Sequence, residues 1–290
     1  MKIDIFEPIS FCFGVEKSIE TIKTYANSHK DEKIFCLGHP VHNEIVSNQL
    51  RNLNVTIIDV EPSAYKDQIL NLPNNSTLIF SAHGHEKKLE DICKEKNISI
   101  IDTVCPIVDN IQKQINEFLG KNHSVIYIGK NNHPESYAII KNNHLVNFWE
   151  ISSSFSVDFN IKNTIIFNQT TILENKLETI YNEIYSKNPT AIIKNTSCKF
   201  VNDRYTKMKE LDPNKYDFII IAGSTSSSNT TELFNKAVQI FGTKKALLIS
   251  KAQDLKSISN LNDAKTVALF SGTSTPIELI NEIELILTQL

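Results

Sequence analysis

Asp102-Thr103-Val104-Cys105-Pro106-Ile107-Val108 is the stretch from which the rest of the chain can be read. The apolar run Ile98-Ser99-Ile100-Ile101 leads into it as a short strand, and Val108, Ile111, Ile115 and Phe118 lead out along one face of a helix. Pro106 suits a first helical turn, where its missing N–H would be unpaired in any case. Cys105 therefore stands where a strand hands over to a helix N-terminus, a place whose dipole and unpaired N–H groups favour a thiolate or another anion.

The arrangement recurs at equal distances, with Cys12 and Cys198 lying 93 residues to either side of Cys105. Ile3-Asp4-Ile5-Phe6 precedes Cys12 as a strand, and Ala191-Ile192-Ile193 precedes Cys198. Val15 and Ile22, Val108 and Ile115, and Val201 and Met208 stand three and ten positions after their cysteines, so the three helices share one phase. Gly38, Gly129 and Gly223 then close an apolar strand 26, 24 and 25 residues downstream. A threefold internal repeat organises the chain.

Its 290 residues can build two or three compact units with substantial cores. The 41% hydrophobic and 22% charged shares are those of an ordinary globular protein. With 30 basic and 33 acidic residues the net charge is −3, which offers no bulk attraction to nucleic acid. The opening residues Met1-Lys2-Ile3-Asp4-Ile5-Phe6-Glu7 lack the apolar centre of a signal peptide, and no apolar run approaches the ~18 residues a membrane span requires. Five cysteines, an odd number, argue against a disulfide framework and for a cytoplasmic protein.

Periodicity predicts strands over Lys33–Leu37, Val55–Ile58, Thr77–Phe80 and Ile98–Ile101, with helices from about Val41 and from Glu86. The second repeat reads as strands Ser124–Ile128, Leu145–Phe148, Thr164–Phe167 and Ala191–Ile193, with helices from Pro134 and Leu173. The third has strands Phe218–Ala222, Ala246–Ile249 and Thr266–Phe270, with helices from Thr230 and Pro276; the unused N-terminal strand would complete it. The implied units are 13–105, 106–198, and 199–290 completed by 1–12. Strands alternating with helices imply an α/β fold of mainly parallel sheets, in which ligands bind beyond the carboxyl ends of the strands. His42, Ser81-Ala82-His83-Gly84, His133-Pro134-Glu135, Asn168-Gln169-Thr170-Thr171, Ser226-Ser227-Ser228-Asn229 and Ser271-Gly272-Thr273-Ser274 all fall at such ends and would face one cavity with the cysteines. Ser152-Ser153-Ser154 marks an exposed loop.

Cys36 within a strand and Cys93 within a helix read as inert core residues, whereas Cys12, Cys105 and Cys198 share a register and read as ligands. Three thiolates suit zinc or an iron–sulfur cluster with one iron lacking a protein ligand, and their wide spacing does not decide between these. His29, His123 and His144 read as structural and His39 and His85 stay open, while His42, His83 and His133 occupy strand-end loops. The serines at 226–228 are a plain polar loop on one reading and a source of hydroxyls and N–H groups for phosphate on the other. Glu135 is either a helix-end charge or a proton donor. There is no Walker loop and no dinucleotide fingerprint among only eight glycines.

With these motifs assembled, the sequence resembles the 4-hydroxy-3-methylbut-2-enyl diphosphate reductases, the IspH or LytB family. The resemblance covers essentially the whole chain. It rests on Phe11-Cys12-Phe13-Gly14-Val15, Val41-His42-Asn43, Ser81-Ala82-His83-Gly84, Asp102-Thr103-Val104-Cys105-Pro106 and His133-Pro134-Glu135. It continues through Gln169-Thr170-Thr171, Cys198, Gly223-Ser224, Ser227-Ser228-Asn229 and Ser274-Thr275-Pro276. It implies three α/β units around a [4Fe-4S] cluster held by Cys12, Cys105 and Cys198, with one iron not ligated by protein. The implied reaction is the last step of the non-mevalonate isoprenoid pathway, a two-electron removal of an allylic hydroxyl that gives isopentenyl and dimethylallyl diphosphates. Glu135 would supply the proton with help from Thr170 and His133. His42, His83, His133, Thr170, Ser227, Ser228, Asn229 and Ser274 would hold the substrate. The resemblance also implies an electron donor such as ferredoxin or flavodoxin, and a monomer or homodimer.

Several positions depart from the family pattern. Ile9-Ser10 stands for a usual Arg-Gly, Phe13 for a small residue and Lys130 for a histidine. Val201 and Tyr205 stand for threonine and glutamine, while Arg204 is kept. Two other classes compete with the reductase: a non-catalytic iron–sulfur redox sensor and a structural three-cysteine zinc protein.

Overall fold

The computed structural model describes residues 1–153 and 163–290, so Ser154 of the predicted serine loop lies outside the described residues; Ser152 and Ser153 are exposed. The chain opens with β1 (Lys2–Ile5), and the first repeat then runs α1 (Phe13–Ser28), β2 (Ile34–Leu37), α2 (Glu44–Arg51), β3 (Val55–Ile58), α3 (Tyr65–Asn71), β4 (Thr77–Phe80), α4 (Lys88–Glu95) and β5 (Ser99–Asp102). The second runs α5 (Pro106–Gly120), β6 (Ser124–Gly129), α6 (Pro134–Asn142), β7 (Asn147–Glu150), β8 (Thr164–Asn168), α7 (Glu174–Lys187) and β9 (Ile192–Ile193). The third runs α8 (Lys199–Lys209), β10 (Phe218–Ala222), α9 (Ser228–Phe241), β11 (Ala246–Ile249), β12 (Thr266–Ser271) and α10 (Ile277–Gln289).

The strands form three four-stranded sheets of orders β3-β2-β4-β5, β7-β6-β8-β9 and β11-β10-β12-β1. Every pairing among them is parallel. The pattern is the same in each: a strand leading into a cysteine holds one edge, beside the strand that carries the second polar loop. In the last sheet that edge strand comes from the start of the chain, with Lys2 opposite Thr266 and Ile5 opposite Leu269. Parallel strands covered on both faces read as continuous apolar runs, and β4, β6 and β8 are buried along nearly their whole length.

By packing, the chain divides into two compact units. One comprises Met1–Val15, Val41–Val46 and Lys199–Leu290, the other Glu16–Pro40 and Ser47–Cys198. In the first, Ile220, Leu269, Ile280 and Ile283 pack on one side of the sheet, and Ile219, Ile221, Leu233 and Phe270 on the other. In the second, α5 and α6 set Ile111, Ile115 and Ile139 against Val125, Tyr127 and Phe167, while Leu177 and Ile184 of α7 cover the opposite face with Ile126 and Ile166.

The structure corrects the predicted elements in three places. The strand expected at Leu145–Phe148 is Asn147–Glu150, because Val146 N–H closes a turn on Asn143 O and Leu145 is left exposed. Helix α3 was not expected, although Pro62 opens the short 3-10 turn before it and Tyr65 and Ile69, four apart, are its buried face. The helices expected from Val41 and Glu86 begin at Glu44 and Lys88. In the first case Asn43 Oδ1 accepts the N–H groups of Ile45 and Val46 and so fixes the start.

Gly272 shows how tightly a strand-end loop meets α9. A Cβ there would overlap Thr230 Oγ1 and come within 3.1 Å of Thr230 Cβ, whereas a Cβ on Gly120 would meet nothing within 4 Å. Gly272→Ala is expected to lower stability by about 1–3 kcal/mol, the usual cost of overpacking. Gly120→Ala is expected to be neutral or to raise it by about 0.4–1 kcal/mol. Urea unfolding of both variants checks this, and equal midpoints would contradict it.

Candidate active site

One hydrogen bond is repeated at all three cysteines. Cys12 N–H donates to Thr273 O at 3.1 Å, Cys105 N–H to Ala82 O at 3.0 Å and Cys198 N–H to Thr170 O at 2.8 Å. Each acceptor lies two residues beyond the end of β12, β4 or β8, the strand beside the one that leads into that cysteine. The backbone of each cysteine loop is thus tied to the neighbouring strand-end loop. None of the five cysteines is in a disulfide; Cys12, Cys105 and Cys198 are partly exposed and Cys36 and Cys93 fully buried. Burial pushes the Cys36 thiol up to about 12, and burial with the nearby Glu90 pushes Cys93 up to about 11.

In the unit that contains Cys105 and Cys198, the structure joins six of the expected residues through contacts. The Cys105 loop is held to Ala82, next to His83. The His83 ring stands edge-on to His133, with centroids 5.7 Å apart. His133 caps α6, its Nδ1 accepting the Glu135 N–H at 3.2 Å. With Nδ1 an acceptor, the neutral ring carries its proton on Nε2. Glu135 is 2% exposed. Its Oε1 accepts Thr170 N–H and the Tyr127 hydroxyl, both at 2.9 Å, and its Oε2 accepts the Thr170 hydroxyl at 2.6 Å. Burial pushes the carboxyl above the ordinary range, and the donors from Thr170 and Tyr127 oppose that rise without cancelling it. Thr170 in turn holds Cys198 through its carbonyl.

The other unit gathers hydroxyls and amides at the N-terminus of α9. Ser227 is the cap, its Oγ accepting Thr230 N–H. Ser274 Oγ donates to Ser227 Oγ at 3.0 Å. Asn229 Oδ1 accepts Thr273 N–H at 2.8 Å, which fixes the orientation of the amide and of its donor Nδ2. Ser228 begins the helix and is partly exposed. Thr273 therefore links Asn229, through its N–H, to Cys12, through its carbonyl. His42, partly exposed, lies in the turn that Asn43 closes ahead of α2.

The remaining histidines lie outside this network. His29 stacks on Tyr25, His123 bonds Asn163 O and His144 is exposed. His39 lies between Ser47 and Asp59, and His85 stacks on Phe80 and bonds Glu90. Tyr127, which the motifs did not single out, joins the network through Glu135, and Gln169, which they named without a role, accepts both Lys130 N–H and the Ser136 hydroxyl on its Oε1.

These observations define a class of parallel α/β proteins with a cysteine at each of three strand-to-helix junctions and a buried acid joined to one of them through Thr170. The LytB protein family model matches residues 3–288, and the chain belongs to that family. Among curated relatives, the 4-hydroxy-3-methylbut-2-enyl diphosphate reductase of Thermoanaerobacter sp. (strain X514) is 30% identical, covering 98% of this chain and 95% of its own. That of Malacoplasma penetrans is 29% identical, covering 97% and 95%. The solved structure of the E-1-hydroxy-2-methyl-but-2-enyl-4-diphosphate reductase from Plasmodium falciparum superposes with a TM-score of 0.86 at 26% identity, over 99% of this chain and 88% of that one.

The departures from the family pattern have local explanations. Ser10 adopts a left-handed φ of 65°, a conformation glycine takes without cost. It is held there by its N–H on Ser271 Oγ and its hydroxyl on Thr275 O. Phe13 is exposed, Val201 is buried, Tyr205 packs against the core around Met208, and Lys130 spends its N–H on Gln169. Arg204, 1% exposed, donates from Nε to Ser271 O, from Nη2 to Ser10 O and from Nη1 to Phe200 O. Arg204→Met keeps the stem but leaves these carbonyls without donors. We expect it to cost about 2–5 kcal/mol, read as a lower denaturation midpoint. An unchanged midpoint would show that solvent replaces the guanidinium.

Proposed function

We infer that the chain is a 4-hydroxy-3-methylbut-2-enyl diphosphate reductase, the enzyme of the last step of the non-mevalonate route to isoprenoids. It removes the allylic hydroxyl as water with two electrons and two protons, giving isopentenyl and dimethylallyl diphosphates. The observation that carries this reading is a buried acid paired with Thr170 at the strand ends of a chain that matches the LytB family over residues 3–288. The curated relatives are named as reductases, which disfavours a non-catalytic sensor.

Cys12, Cys105 and Cys198 are assigned to a [4Fe-4S] cluster, three thiolates leaving one iron without a protein ligand. The donor set fits such a group: these cysteines are partly exposed at helix starts with anchored backbones, while burial holds Cys36 and Cys93 as thiols. Their ligation of one cluster rests on the repeat in the sequence and on family membership. When bound, the cluster supplies electrons and a Lewis-acidic iron. A two-electron reduction in a chain without a dinucleotide fingerprint calls for an outside carrier, a ferredoxin or a flavodoxin. We place the protein in the cytoplasm, as a monomer or homodimer; among the described residues no helix is long and apolar enough to cross a membrane.

Glu135 holds the proton that leaves with the substrate oxygen, and burial keeps it protonated to higher pH than an exposed carboxyl. Thr170 Oγ1, which bonds Oε2, is the group that hands it on. His133, protonated on Nε2, and His83 donate to the substrate. Ser227, Ser228, Asn229 and Ser274 at the start of α9, with His42, hold the diphosphate by neutral donors and a helix N-terminus.

Three outcomes test this. Cys12→Ser, Cys105→Ser and Cys198→Ser should each lose iron and activity while Cys36→Ser and Cys93→Ser keep both; loss of iron in the Cys36 or Cys93 variant would overturn the ligand assignment. Glu135→Gln should retain iron and ligand affinity but turn over about a hundredfold more slowly or worse, measured in an anaerobic assay with a strong artificial reductant. A near-normal rate would leave Glu135 a helix cap. Asn229→Asp keeps the acceptor for Thr273 but sets a charge against the diphosphate, so inorganic diphosphate should compete at least tenfold less well, about 1.4 kcal/mol. Unchanged competition would remove this loop from the anion site.

A further inference from the structure

Tyr127 is the group around Glu135 that the family motifs do not account for. It lies on β6 two residues before Gly129, and the same register in the other repeats holds Cys36 before Gly38 and Ile221 before Gly223. All three side chains are fully buried, so the position is a core position in each repeat. Only the second repeat places a hydroxyl there, and a buried hydroxyl is costly without a partner. Its ring packs among Ile111, Ile115, Val125, Ile139 and Phe167, and its hydroxyl reaches Glu135 Oε1 at 2.9 Å.

The two carboxyl oxygens of Glu135 are consequently unlike. Among the described residues, Oε1 accepts two donors, the Tyr127 hydroxyl and the Thr170 N–H, while Oε2 meets the Thr170 hydroxyl alone. A carboxylic proton avoids an oxygen already occupied by two donors, since it would point at their hydrogens. The Thr170 N–H cannot rotate away, and the Tyr127 hydroxyl, which also meets the Ser136 side chain, adds the second demand on Oε1.

We propose that Tyr127 is a positioning residue that keeps the Glu135 proton on Oε2, facing Thr170 Oγ1, and so directs proton delivery through Thr170. The proposal rests on the reading of Glu135 as proton donor. With Oε2 protonated the Thr170 hydroxyl turns from donor to acceptor, and only O–H bonds are made or broken in the step: Oε2–H gives its proton to Thr170 Oγ1, which passes its own proton to the substrate oxygen, leaving a carboxylate that the donors on Oε1 stabilise. Tyr127 itself never ionises, since burial and the adjacent carboxylate hold its phenol well above its usual range. The groups facing Glu135 are Thr170 beyond β8, Tyr127 on β6 and, on its own helix start, His133.

Tyr127→Phe removes the hydroxyl and leaves the ring in the core. In the cluster-loaded enzyme we expect normal iron content and normal competition by inorganic diphosphate, with turnover reduced about tenfold, of the order of one hydrogen bond to a charged group. Loss of a donor to the carboxylate raises its proton affinity, so the fall of turnover at high pH should move to higher pH. A mere packing role would not move that limb. The double variant Tyr127→Phe/Glu135→Gln should be no slower than Glu135→Gln alone, because Tyr127 acts only through the acid. If Tyr127→Phe keeps the wild-type rate and pH profile, or slows the Glu135→Gln enzyme as much as the wild type, the proposal is wrong while the reading of Glu135 stands. If Glu135→Gln itself is fast, the proton-donor reading fails first and takes the proposal with it.

Discussion

The hydrogen bond from each cysteine N–H to the carbonyl two residues beyond the neighbouring strand is the constraint on which the candidate site depends. A strand that ends at a sheet edge would leave the following loop loosely placed. Here the parallel partner runs alongside, ends level with the edge strand (β4) or two residues beyond it (β8 and β12), and offers its own loop as an anchor. The ladder register therefore extends one step past the sheet, and the position of each cysteine inherits the precision of the strands. Backbone atoms alone make this tie.

The rest of each unit supports that step. Thr103 Oγ1 donates to Phe80 O and accepts from Ser18, which locks the turn before Cys105 to β4 and to α1. Arg204 plays the corresponding part beside Cys12, tying Ser10 to Ser271 from within the core. Beside Cys198, Asn168 and Thr196 exchange hydrogen bonds between backbone and side chain, and Asn168 also reaches Ser197. Three different solutions hold three equivalent turns.

Much of this was legible in the sequence because period and spacing survive in it. The apolar runs Thr77–Phe80, Phe218–Ala222 and Ala246–Ile249 are strands over their expected bounds, since fully buried parallel strands carry no competing polar signal. The short strand at Asn147–Glu150 was misplaced because its neighbour Leu145, though apolar, is exposed, and a four-residue strand gives periodicity little to work on. Helix α3 escaped because only Tyr65 and Ile69 mark its buried face. Around Glu135 the motif His133-Pro134-Glu135 pointed to the acid but not to its partners. A hydrogen bond between β6 and α6 is a fact of packing, and Tyr127 reads as one more core aromatic until its hydroxyl is seen on Oε1.

An anchor made of a carbonyl is indifferent to which residue supplies it. Ala82, Thr170 and Thr273 perform the same service with different side chains. Duplicated segments that share such an anchor are at liberty to diverge in chemistry while the frame stays put. One loop has come to carry a histidine, another a threonine that meets an acid, and the third sits against a helix start rich in hydroxyls. Division of labour among the three repeats is thus compatible with a joint whose own donor and acceptor are backbone atoms.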